Sequence, residues 1–171
     1  MSQSPDRAAA ILARFNAAHQ SLVGKLRELP ATVAEQSPSS DAWSAAQIGL
    51  HVAMTNNWAA GVLLGSAPHA RPAPAGFRES FDPSKVPPCI KTIAQLEPPA
   101  AVARDMALAR LRASAQQLTK AIASLTPRRG TGYTVTLLDG TLSLFELADF
   151  VAGHVARHDA QIDRIVANAA V

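Results

Sequence analysis

Cysteine is nearly absent from this chain of 171 residues: Cys89 stands alone, which excludes an internal disulfide and any zinc site built from several thiolates. A reducing compartment suits that usage, and the cytoplasm is the expected location. Aromatic residues are scarce at 5%, so a sheet protein that depends on aromatic and β-branched side chains is disfavoured. No stretch reaches the roughly 18 uncharged apolar residues that a membrane span needs. Met1 to Phe15 carries Asp6, Arg7 and Arg14 without a long apolar core, which argues against a leader peptide. Charge of one sign is also missing, since 16 Lys+Arg against 13 Asp+Glu leave a net +3. The one tight basic cluster, Arg128-Arg129, is too short for a nucleic-acid groove, so neither a membrane nor a nucleic acid is an expected partner.

What remains is an alanine- and leucine-rich chain, 48% apolar and of the length of one ordinary domain, residues 1–171. Packed helices are the expectation. Ser4-Pro5-Asp6 supplies an N-cap serine, a proline at the first helical position and an acid in the first turn, predicting a helix over 5–29. Its buried stripe is Leu12, Phe15, His19, Leu22, Leu26 and Leu29, spaced three and four apart. Trp43-Ser44-Ala45-Ala46-Gln47-Ile48 combines a capping box (Ser44, Gln47) with a hydrophobic staple (Trp43, Ile48) and opens a helix over 44–64. Its stripe reads Ile48, His51, Thr55, Trp58, Val62.

Eight prolines between Gly65 and Pro99 forbid continuous helix there. A connection of that length can cross the whole bundle, placing the helices on either side of it roughly parallel. The third helix is expected over 100–125, with Leu108, Leu111, Ala115, Leu118, Ile122 and Leu125 as its seam and no ligand-type residue on it. Tyr133 to Leu138 and Thr141-Leu142 flank Asp139-Gly140, the pattern of a small hairpin. A second capping box, Ser143 with Glu146, opens the fourth helix over 143–168, whose seam is Leu144, Leu147, Val151, His154, His158, Gln161 and Ile165.

His154 and His158 stand four residues apart on one helix, a step that returns to the same face with a rise of ~6 Å. Alone, such a pair is a weak signal. Its weight comes from His51, which takes a seam position on another helix, so three imidazoles point into one apolar interior. Each must find partners there for two ring nitrogens, and one divalent ion serves three rings at once. Neutral imidazole suits zinc, nickel, iron(II) or copper, and three protein ligands leave coordination positions open, as catalytic sites do. The bland alternative is a set of core histidines satisfied by hydrogen bonds. Thr55 and Gln161 are candidates to orient ligands from behind, with ordinary interhelical packing as the alternative. His19 is a fourth ligand, an outer partner or a satisfied core histidine, the last being favoured. His69 is expected to be exposed, Cys89 to be an unreactive loop thiol, and Asp149, Asp159 and Asp163 to be surface charges.

The two segments Trp43-Ser44-Ala45-Ala46-Gln47-Ile48 with His51, and Gly153-His154-Val155-Ala156-Arg157-His158-Asp159-Ala160-Gln161-Ile162, resemble the DinB/YfiT-like superfamily. Four helices with a long second connection match as well. The resemblance implies an all-α, four-helix bundle of up-down-down-up type with a long crossover between helices 2 and 3, and frequently a homodimer. It implies a divalent metal, nickel or zinc foremost with iron or manganese as alternatives, held by residues matching His51, His154 and His158. Relatives include mycothiol-dependent maleylpyruvate isomerase, bacillithiol S-transferases and members described as metal-dependent hydrolases. The isomerase carries a glutamate at the position of His154, so this chain departs from it there. The expected function is a metal-dependent thiol transferase or hydrolase acting on a small molecule, with a low-molecular-weight thiol as a possible cosubstrate. The alternative is a non-catalytic metal-binding or stress-response bundle.

Overall fold

In the computed structural model, residues 4–67, 69–82, 92–137 and 140–169 are described. Cys89 and Asp139 fall outside them, as do the side chains of the Ser4-Pro5-Asp6 cap. Four long helices carry the fold: α1 (Ser4–Glu28), α3 (Ala45–Leu64), α4 (Arg104–Ala123) and α6 (Leu144–Ala169). Two short ones, α2 (Ala31–Ala34) and α5 (Pro127–Gly132), were not expected; each starts at a proline or just after one, where the missing N–H goes unneeded. The hairpin is formed by β2 (Tyr133–Leu137) and β3 (Gly140–Ser143), with Val135 opposite Leu142. A third strand from the crossover, β1 (Arg71–Pro72), pairs antiparallel with β2.

Both capping boxes form. Ser44 N–H donates to Gln47 Oε1 at 2.8 Å while Gln47 N–H donates to Ser44 Oγ at 3.1 Å. Ser143 N–H and Glu146 Oε2 stand 2.9 Å apart, and Glu146 N–H and Ser143 Oγ 3.0 Å apart. At its far end α3 stops on Gly65, whose φ of 77° lies in the left-handed region that glycine enters without steric cost.

α4 starts later than the expected 100. The Gln47 carboxamide, besides capping α3, donates to the carbonyls of Pro99 (2.9 Å) and Ala100 (3.3 Å), tying these two residues to the start of α3 and away from the helix. The first turn of α4 then finds an acceptor elsewhere: Glu35 Oε1 receives Arg104 N–H at 2.8 Å.

α3 packs chiefly against α4, and α1 against α6, with α1 also touching α4 and α3 also touching α6. The core between them is mostly aliphatic with two phenylalanine rings: Phe15, Leu22, Leu26, Ile48, Leu63, Leu111, Leu118, Ile122, Leu144, Phe145 and Leu147 are fully buried. Ile11, rather than the expected Leu12, is the fully buried residue at that end of α1. Trp58, Ala115 and Gln161 lie at the margins of their seams, half-buried.

The acids on α6 are a correction to the sequence reading. Asp149 and Asp159 are not free surface charges but lie largely buried against α1. Asp149 pairs with Arg7 and Arg14; Asp159 meets Lys25 at 3.0 Å and accepts from Ser21 Oγ at 3.0 Å. Asp163, which is exposed, pairs with the same Lys25 at 2.6 Å. Residue numbers rise together along these pairs, so α1 and α6 run in the same direction. No helix among the described residues is long and apolar enough to cross a membrane.

Candidate metal centre

α3 brings His51, and α6 brings His154 and His158, to one point in the interior. One ring nitrogen from each lies within 4.8 Å of the others, and this is the one group of three or more His, Cys, Asp or Glu among the described residues that could hold an ion. His51 Nε2 and His158 Nε2 each stand 3.1 Å from His154 Nε2. Ring centroids are 4.4 to 5.0 Å apart, with the planes inclined at 58 to 74°. All three rings are more than nine-tenths buried.

The outer ring nitrogens determine what the inner ones can do. His51 Nδ1 lies 2.7 Å from the carbonyl oxygen of Leu96, at the end of a 3-10 turn (Ala94–Leu96) in the crossover. A carbonyl only accepts, so Nδ1 carries the proton and Nε2 presents its lone pair. His158 Nδ1 lies 2.8 Å from Gln161 Oε1, also an acceptor, with the same result. His154 Nδ1 is buried with no partner among the described residues. Two lone pairs thus converge on His154 Nε2. A proton there could serve one neighbour at a time, leaving the other contact lone pair against lone pair. A cation serves all three, and nitrogens about 3 Å apart are spaced as two ligands ~2.1 Å from a common ion would be. The donor set therefore fits a divalent transition metal.

Burial keeps the rings in the ligating, neutral form. Desolvation holds His154 well below its ordinary value, helped by the neighbouring imidazoles and Arg157. The same cause brings His158 down to about 4, against a weaker upward pull from Gln161. His51 is lowered too, by burial first and by Arg157 in addition, although the Leu96 carbonyl opposes it.

Other candidates fall elsewhere. Thr55 Oγ1 donates back to the His51 carbonyl at 3.0 Å, so it bonds the backbone of the turn that carries His51, not the ring. His19 is remote from the cluster: its Nε2 donates to Leu111 O at 3.1 Å, its ring lies against Phe15, and burial lowers its pKa. His69 is exposed.

Three aromatic rings lie around the cluster beyond the residues that the sequence pattern singles out. Trp43 lies on His51 with centroids 4.9 Å apart, Phe150 lies 6.2 Å from His154, and Phe81 of the crossover meets Phe150 edge-on at 6.0 Å. Phe150 had a signal, since it precedes His154 by one helical turn on the same face. Phe81 and the Leu96 carbonyl had none.

The fold is thus a helical bundle in which two helices bring three imidazoles to one buried point. The chain belongs to the DinB superfamily, whose family model matches residues 7–162. That span contains all three histidines. No curated protein and no solved structure gives a significant match.

Proposed function

We propose that His51, His154 and His158 hold one divalent transition metal, nickel or zinc foremost, and that the protein is a metal-dependent enzyme acting on a small molecule, as a thiol transferase or a hydrolase. The observation that carries this reading is the arrangement of tautomers: two rings have their protons fixed on the outer nitrogen by Leu96 and Gln161, leaving bare Nε2 atoms aimed at the third. Bound at such a site, the ion supplies Lewis acidity, shifting an incoming thiol or water toward its deprotonated form near neutral pH. The chain's own residues hold and orient. Leu96 and Gln161 fix the ring planes, which strengthens imidazole as a ligand. Trp43 and Phe150 place apolar ring surface beside His51 and His154. Membership of the DinB superfamily, in which metal binding is typical, supports the same reading.

The test is elemental analysis of protein purified without an affinity tag, followed by thiol-conjugation and hydrolase assays on the wild type and on His158→Ala. The reading expects close to one ion per chain and turnover lost in the variant. Equal turnover by both would end the catalytic proposal. Bound metal that raises the melting point without turnover in either assay would favour the non-catalytic alternative.

A further inference from the structure

Three of the chain's eight Phe, Trp and Tyr residues gather at the histidine cluster. Trp43, Phe81 and Phe150 are each only partly buried; Trp43 and Phe150 pack with one side on the core and leave the other toward the cluster's edge, and Phe81 stands outside the core against Phe150. Phe150 and Phe81 continue outward from His154 in sequence, the first tilted at 31° to the imidazole and the second edge-on at 67° to the first. Ligand sites are typically walled in this way, by apolar rings around a few polar atoms.

Phe81 comes from a loop, yet it is fixed with unusual care. The Glu146 carboxylate is 2% exposed, and besides capping α6 it accepts the backbone N–H groups of Ser80 (2.6 Å) and Phe81 (2.5 Å). Two residues earlier, Glu79 accepts two bonds from Arg7, at 3.0 and 2.8 Å, and one from the Ser143 hydroxyl. Residues 79–81 are thus fastened to α1 and to the start of α6 by charge-assisted bonds, stronger than neutral ones. A ring needed only to cover surface would not require such anchoring.

From this we infer that Phe81 and Phe150 form a wall of the substrate site, selecting a substrate with an aromatic or flat apolar group beside the atom that approaches the three Nε2 atoms, and that Glu146 is a positioning residue acting through Phe81. The inference rests on the metal reading above and deepens it. An aromatic–aromatic contact with accompanying burial is worth up to about tenfold in affinity.

The test loads the full chain with Co(II) and titrates benzohydroxamate and acetohydroxamate, which share a metal-binding group and differ in the ring, following the cobalt absorption spectrum. The wild type should bind the benzo compound about tenfold more tightly. Phe81→Leu and Phe150→Leu, which keep an apolar side chain, should cut that ratio to roughly threefold or less while acetohydroxamate affinity and cobalt content hold. Glu146→Gln, which keeps the capping pattern, should lower the ratio in the same direction. Equal affinity of the two compounds for the cobalt-loaded wild type, or a ratio unmoved in both Phe variants, overturns the wall and leaves the metal reading standing. A wild type that takes up no cobalt overturns the metal reading, and the wall with it.

Discussion

Gln161 and His158 are joined by a 2.8 Å contact between the carboxamide oxygen and ring Nδ1, three residues apart on α6. The contact selects the tautomer that presents Nε2 to the cluster. Gln161→Leu should therefore weaken metal affinity on the order of 10- to 100-fold while leaving the helix intact. Competition against a chromophoric chelator measures it; an unchanged affinity would mean that His158 needs no such orientation.

The metal-free protein should lose stability in mild acid. His158 has a folded pKa of about 4 against an ordinary 6.5, and His51 and His154 are lowered as well. When the folded pKa is the lower one, the unfolded chain binds more protons between the two values, so unfolding is favoured as pH falls. Stability is fully present above about pH 6.5, declines through the interval, and levels off below pH 4 for His158. Across that interval His158 alone accounts for a loss on the order of 3 kcal/mol. Urea unfolding of chelator-treated protein at pH 7, 5.5 and 4.5 should show the decline, and His158→Leu should flatten it.

Metal should stabilise the fold in proportion to its affinity. At a free concentration about 1,000 times the dissociation constant, the gain is about 4 kcal/mol. Melting curves with and without nickel or zinc should separate accordingly for the wild type and coincide for His154→Ala.

Removing the Glu146 carboxylate should be among the costlier single changes outside the cluster. Three backbone N–H groups, those of Ser143, Ser80 and Phe81, would lose their acceptor at once. Glu146→Ala is expected to cost about 2–4 kcal/mol, the sum of a lost cap and of backbone donors left with water at best. Chemical denaturation gives the value directly.

Gly130→Ala tests the packing of α5 on α6. A Cβ there would stand 2.2 Å from Phe145 Cε2, too close for a ring held in the core to yield easily. A loss of about 1–3 kcal/mol is expected from overpacking. Phe145→Leu in the same background should recover part of it.

The features legible in the sequence were those that depend on residue type at a fixed spacing. Ser44 with Gln47 and Ser143 with Glu146 announce helix starts because a capping box is local, and the seams of α1, α3, α4 and α6 follow from periodicity. His51, His154 and His158 could be placed on inward faces for the same reason. Contacts between distant segments had no such signature. Thr55 turned to its own helix, because a threonine hydroxyl reaches the carbonyl four residues back more easily than a ring across the interface. Asp149 and Asp159 looked like surface charges until α1 supplied Arg7, Arg14 and Lys25. The later start of α4 follows from where the Gln47 side chain reaches, which helix propensity does not encode.

The partner that fixes the tautomer of His51 is a main-chain carbonyl, that of Leu96. Any residue type offers the same oxygen, so side-chain changes at position 96 should be widely tolerated. Spacing is a different matter: adding or removing one residue between 92 and 96 would swing that oxygen away from the imidazole. At this edge of the cluster, selection should act on the number of residues in the strap and not on their identity.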